Sequence, residues 1–463
     1  MMRNESAFKM DKKMNVISSR TGPSEGTPHA GPNRFEFRRW WVALGWGCLA
    51  VPAMAIDFGP EGMFSLTGFG KVEVQRGSNH CTDCQLYPTE NKQRLWADDL
   101  VPGRPYGTSN THVTLFQPWL GAKYDLGGGF KANALLSQRW RDGAEDIPGF
   151  WYEKNVAISH DDYGSFRMGA MTTRTWSIAD YPYGTNLGVA DVWGSSGAGY
   201  GLLTNAVRYT SRIFDVAQGD LVLEASYDQG NRNFKVHKPQ FLELYAQFHK
   251  GDLVLDAMYQ DSRNGNPQAW SHGPFTSLTP NVADDTKVGG SGQSIAMVMG
   301  RYQVNSQIEV SGGLRGNRWS GAYAVITQPG VSAQWNNMFN VDWNGQLNGV
   351  ANPGYAATST DWMIGARYKT GPWTASTGMV HLGKASTANP SERGQSNSAN
   401  VNTVGLNYNY NNGFQVYGFV GMVTYDRLGL APMSMPGNAA FTNVDSRVTR
   451  SGNWAGLGAV YVF

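Results

Sequence analysis

The sequence predicts an all-β protein: a transmembrane antiparallel β-barrel of about 16 strands, with short turns on one rim and long loops on the other. Three observations carry this. Tight turns at Gly127-Gly128-Gly129, Lys250-Gly251-Asp252, Thr370-Gly371-Pro372 and Asn411-Asn412-Gly413 alternate with connections of dozens of residues. The segments between them repeat with period two, and no helical period intervenes. Finally, strands of ~9 to 11 residues plus these loops consume the length after residue 55, leaving no room for a second domain.

In chain order, the first strand, residues 64 to 75, sets Phe64, Leu66, Gly68, Gly70, Val72 and Val74 against Ser65, Thr67, Phe69, Lys71, Glu73 and Gln75. The second face is the lumen, since a strand spanning lipid keeps its charged residues on the side away from the acyl chains. Leu242, Leu244, Ala246 and Phe248 alternate in the same way with Glu243, Tyr245, Gln247 and His249. So do Ile308, Val310, Gly312 and Leu314 with Glu309, Ser311, Gly313 and Arg315, and Trp362, Ile364, Ala366 and Tyr368 with Met363, Gly365, Arg367 and Lys369. The last strand, residues 454 to 463, puts Ala455, Leu457, Ala459, Tyr461 and Phe463 on one face.

Composition agrees. Apolar and aromatic residues make up 41% of the chain, which is modest because only every second strand residue meets lipid. The 57 glycines suit turns, and 16 Trp with 21 Tyr suit aromatic girdles at the two interfaces. Residues 1 to 55 stand apart: Arg38-Arg39 leads into an apolar run from Trp40 to Pro52 that ends Ala53-Met54-Ala55, the three parts of a secretory signal peptide, with cleavage expected after Ala55. Domain organisation is therefore a removed leader (1–55) and one barrel domain (56–463). Without the leader's 8 Lys/Arg and 4 Asp/Glu, the whole-chain +2 becomes about −2, which argues against nucleic acid as a partner.

Of the three cysteines, Cys48 lies in the leader, while Cys81 and Cys84 fall in the first long connection. In an oxidising compartment this spacing points to a small loop-stapling disulfide. Haem attachment would need His where Gln85 stands, and a zinc site with His80 or His112 would have only half its shell from the pair.

Several strings resemble the general porins of Gram-negative bacteria. Residues 120 to 132, Leu-Gly-Ala-Lys-Tyr-Asp-Leu-Gly-Gly-Gly-Phe-Lys-Ala, are similar to that family's second strand, first inner turn and third strand. Tyr163 to Gly169 resembles its fourth inner hairpin and Asn205 to Ser211 its sixth strand; Gly300-Arg301-Tyr302 and the terminal Phe463 extend the likeness over residues 64 to 463. The resemblance implies a homotrimeric sixteen-stranded diffusion pore in the outer membrane, narrowed by an inward-folded third loop whose acidic residues face a basic ladder on the wall. Here that loop would be residues 176 to 201, after a strand over 166 to 175, with Asp180 and Asp191 as its acids. Tyr181-Pro182-Tyr183-Gly184 stands where the family has Pro-Glu-Phe-Gly-Gly. By strand parity the facing cations are Lys71, Arg139, Arg167, Arg208 and Arg212, and Glu153 stands where the family more often places arginine. Such an eyelet passes small hydrophilic solutes and ions through a transverse field.

Two other classes compete. A barrel enzyme needs His beside Ser or a carboxylate, but His112, His160, His237, His249, His272 and His381 are scattered, and no Gly-x-Ser-x-Gly elbow occurs. A sheath around an electron-transfer partner needs a wider barrel than this length supplies. No cofactor and no metal are implied.

Overall fold

The computed structural model describes residues 56–80, 107–145, 151–179, 193, 199–230, 235–236, 238–263, 270–274, 291–321, 356–387, 398–410, 413–426 and 451–463. The chain forms a closed barrel of 16 antiparallel strands. They are β1 (Phe64–His80), β2 (Gly107–Gly127), β3 (Phe130–Ser137), β4 (Glu153–His160), β5 (Gly164–Thr172), β6 (Gly199–Thr210), β7 (Gly219–Asp228) and β8 (Gln240–Lys250). The ring continues with β9 (Leu253–Arg263), β10 (Ser291–Gln303), β11 (Ile308–Gly321), β12 (Ala356–Thr370), β13 (Trp373–Leu382), β14 (Ala399–Asn409), β15 (Phe414–Tyr425) and β16 (Ser451–Val462). Each strand pairs with its chain neighbours, and β16 returns to β1 with Lys71 opposite Val460 and His80 opposite Ser451. Main-chain bonds Gly68 N to Phe463 O (2.8 Å) and Phe463 N to Gly68 O (3.0 Å) continue the seam. Closure leaves no unpaired edge, which is why strands can cross a medium that offers no hydrogen bonds.

The turns are where the sequence puts them. Gly127, Gly128 and Gly129 all have φ between 60° and 85°, a run that side-chain-bearing residues would adopt only under strain. Gly251 and Gly371 likewise carry the left-handed step of two-residue hairpins.

Alternation holds around the ring. On β1, Val72 and Val74 are 55% and 58% exposed toward lipid, whereas Lys71, Glu73 and Gln75 are buried on the inside. Outward aromatics Tyr163, Tyr302, Tyr368, Trp373 and Tyr461 gather at the short-turn ends of the strands and form one interfacial girdle. Short strands outside the ring trim its rims: Ile56–Phe58 lies antiparallel on β1, and Trp270–Pro274, from the β9–β10 connection, runs parallel to the start of β6. The strand expected to reach residue 175 stops at Thr172, and α1 (Arg174–Ala179) follows.

Candidate functional site

The inner wall of β4 to β9 carries a charged network built from alternate residues of neighbouring strands. Arg167 on β5 is the direct cross-strand partner of Arg208 on β6, and Arg208 of Ser226 on β7. Two like charges placed side by side repel, and the structure offsets this with carboxylates. Glu224 of β7 lies 3.2 Å from Arg208 Nε and accepts a fork from Arg174, Nε at 2.7 Å and a terminal nitrogen at 2.9 Å. Thr210 Oγ1 donates to the same carboxylate at 2.7 Å. Arg208 also donates to Ser226 Oγ (2.7 Å) and to the Thr172 carbonyl (2.8 Å), and Arg167 donates to Asn155 Oδ1.

Glu243 of β8 caps the helix that follows β5. Its carboxylate accepts from the main-chain N–H groups of Arg174 (2.7 Å) and Thr175 (2.9 Å), from Thr175 Oγ1 (2.6 Å) and from Gln260 Nε2 (2.8 Å). The first N–H groups of a helix have no partner within it, so a wall glutamate explains why α1 begins at the lumen face. Burial alone would push the Arg174 pKa down, but Glu224, by charge and hydrogen bond, with Tyr245 and Glu243 behind it, holds it above the ordinary arginine value. Glu153 of β4 accepts from Trp119 Nε1 and from Thr172 N, each at 3.1 Å. Arg174 and Arg208 are thus paired with Glu224 and Glu243, while Arg167 is held by Asn155 and Glu153 by Trp119 and the Thr172 main chain.

The connection that starts at this wall arrives at another. Trp193, fully buried, lies against β10 and β11: its Nε1 donates to Met299 Sδ (3.1 Å), its carbonyl accepts from Arg315 (2.8 Å), and the Arg315 guanidinium sits 4.4 Å from its ring centroid. Arg315 is held in turn by Asp361 of β12 at 3.1 and 2.8 Å. Glu224 and Arg315 belong to one cross-strand row, Glu224–Tyr245–Met258–Met297–Arg315–Asp361. Four interstrand steps of ~4.8 Å separate them, about 19 Å along the wall. Two described parts of one connection, residues 173–179 and Trp193, thus lie against inner-wall residues of well-separated strands.

The expected site residues divide. Arg167 and Arg208 come together in the network. Lys71 lies elsewhere, on β1, 2.9 Å from Glu73 Oε2, which also accepts from the Tyr417 hydroxyl of β15 (2.7 Å), while Gln75 donates to Glu73 Oε1. Arg139 is buried just beyond β3, donating to Tyr152 OH (3.3 Å) and stacked on its ring. Arg212 is a correction: it is exposed, beyond the end of β6, with its guanidinium 5.2 Å from the Phe214 ring on the short-turn rim. Parity counting carried past Thr210 fails there because the backbone leaves the ladder after Ser211, whose N–H makes the last bond to Leu223 O. Asp180, Asp191, Cys81, Cys84 and the leader lie outside the described residues. Arg174, Glu224, Glu243, Asp361 and Trp193 were not singled out as site residues from sequence; Glu243 and Arg315 already lay on lumen faces by alternation, whereas Trp193 had no periodic signal at all.

A family model described as Gram-negative porin matches residues 50–428. No curated protein is recognisably similar in sequence. Among solved structures, the chain resembles an anion-selective porin from Comamonas acidovorans (13% identity, TM-score 0.55, covering 86% of this chain and 99% of that one). It also resembles the in-vitro folded OmpT outer membrane protein of Vibrio cholerae in a trimer form (13%, 0.51, 86% and 99%) and the outer membrane channel DcaP of Acinetobacter baumannii (11%, 0.51, 88% and 99%). At these identities the structures speak for the fold.

Proposed function

This chain belongs to the Gram-negative porin family, and from that premise we propose how its channel sorts what crosses it. The protein is an outer-membrane channel for diffusion. The 173–198 connection forms the eyelet, small hydrophilic solutes and ions pass it without chemistry being done on them, and charge at the eyelet sets the ionic preference. The observation that carries this is the loop's two anchorages: Arg174 and Thr175 on Glu224 and Glu243 at its start, and Trp193 on Arg315 further along. The β4–β9 wall sets Glu153, Glu224, Glu243 and Asp256 against Arg167, Arg174 and Arg208, and Asp180 and Asp191 add to that acidic side, toward cations. Residues 1–55 serve as the export leader, Cys81 and Cys84 close a small loop, and the working unit is a homotrimer, in line with the trimer form of the V. cholerae protein.

Planar-bilayer recording in a salt gradient tests the reading. Wild-type protein should show discrete conductance steps with a cation-side reversal potential, and Asp180→Asn with Asp191→Asn should move that potential toward anions. Screening confines such effects to about one Debye length, ~8 Å at physiological salt, so an unchanged potential would show that neither aspartate lies at the eyelet.

A further inference from the structure

We propose that Trp193 is a specificity-determining residue of this channel: seated against Gly313 and beneath Arg315, its indole holds the eyelet connection across the lumen and sets both the aperture and the charge exposed there. This rests on the diffusion-channel reading and adds to it the residue that fixes the opening.

The seat is built for a large flat ring. A Cβ at Gly313 would lie 2.9 Å from Trp193 Cζ2, 3.0 Å from Met299 Cγ and 3.4 Å from Met363 Cγ, so any side chain would displace the indole or its neighbours. Gly313 sits inside β11 without the positive φ that demands glycine in a turn, so the space it leaves, not its backbone freedom, is what the structure uses. Met299 supplies a soft acceptor to the indole N–H, an arrangement favourable to thioether sulfur. Arg315, two residues along the same strand, both sits over the ring and donates to the Trp193 carbonyl, so side chain and backbone of the same residue are fixed.

Arg315 is itself rigid. Asp361 receives two of its hydrogen bonds and also accepts from Asn317 Nδ2 and from the main-chain N–H of Gly383, each at 2.8 Å. The guanidinium is therefore a fixed post on the wall against which the indole is seated. With the ring in place Arg315 has no solvent-exposed surface. Taking the ring away frees the loop from β10 and β11 and opens a path for water to a lumen-facing cation.

The test uses purified full-length protein in planar bilayers, with heat-dependent electrophoretic mobility and circular dichroism to confirm folded barrels. Trp193→Ala and Gly313→Leu act on opposite sides of the contact and should behave alike. Each should raise single-channel conductance roughly twofold, as a widened constriction would, admit larger neutral polyethylene glycols, and move the reversal potential toward anions. Trp193→Ala with Arg315→Gln should keep the higher conductance and lose the anion shift, and Trp193→Phe should restore most of the wild-type aperture. Should Trp193→Ala not assemble, Gly313→Ala, which presses on the ring by only tenths of an ångström, should give the same changes at smaller size. Folded variants with wild-type conductance, size cut-off and selectivity would overturn the proposal. Wild-type protein that shows no channel steps would instead overturn the diffusion-channel reading on which it stands.

Discussion

The inner surfaces of β4–β9 and of β13–β16 lie on opposite sides of the ring and are made differently. The first carries Glu153, Arg167, Arg208, Glu224, Glu243 and Asp256, tied by ion pairs and hydrogen bonds. The four strands β13 to β16 contain no Asp, Glu, Lys or Arg at all. Their lumen face is instead Val380, Val401, Tyr417, Phe419, Val423 and Trp454 among small polar residues, all buried. The rings of Tyr417, Phe419 and Trp454 lie over Gly458, Gly456 and Gly421 of the neighbouring strand, where no side chain stands in the way. Alternation demands only that outward residues suit lipid, and inward residues are free to serve either purpose. One wall is electrostatic and the other is shape. A field that begins on one wall and meets no counter-charge on the other is steepest beside the charged network, where α1 begins.

The largest expected effect comes from breaking the charged wall. Glu243→Ala removes the cap of α1 and the acceptor for Gln260, and takes a carboxylate from 3.7 Å of Arg208. Removing one member of a buried ionic network costs ~3–5 kcal/mol; thermal unfolding should register it, and conductance steps should become noisy as the loop's start comes loose. A smaller effect is expected from writing a charge onto the neutral wall. Thr403→Lys on β14 places a cation where the strand has none, and at ~4 Å in water a unit charge is worth ~1 kcal/mol to a passing ion, about fivefold in permeability ratio; the reversal potential should move toward anions, and an unmoved potential would mean that ions do not pass this wall. The smallest is Arg212→Ala, which should leave selectivity unchanged and stability within ~0.5 kcal/mol. A clear shift in reversal potential with that variant would mean that the short-turn rim takes part in selection.

The ladder was more legible than the charged network and the Trp193 seat, for a physical reason. Strand faces follow from alternation, so Lys71, Glu243, Arg315 and Arg367 could be assigned to the lumen from sequence, and glycine runs such as 127–129 marked turns by backbone need alone. Parity stops working once hydrogen bonding stops, which is why Arg212 was misassigned and why residues 173–175 read as strand although Glu243, far off in sequence, caps a helix there. The pairing of Arg174 and Arg208 with Glu224 and of Arg315 with Asp361 was also hidden, since it depends on register between strands rather than on any one of them. Trp193 was the least visible: its significance resides in Gly313, Met299 and Arg315, which no local pattern connects to it.

The seam between β1 and β16 has a consequence for how the molecule is made. Lys71 and Val460 are partners across almost the whole chain, so the ring stays open until the sixteenth strand has arrived, whatever hairpins have formed before. Contacts this distant in sequence are slow to find and cost the most chain entropy to join. Substitutions along Gly68, Phe463 and their neighbours should therefore act chiefly on the rate and yield of assembly, leaving the conductance of those barrels that do close untouched.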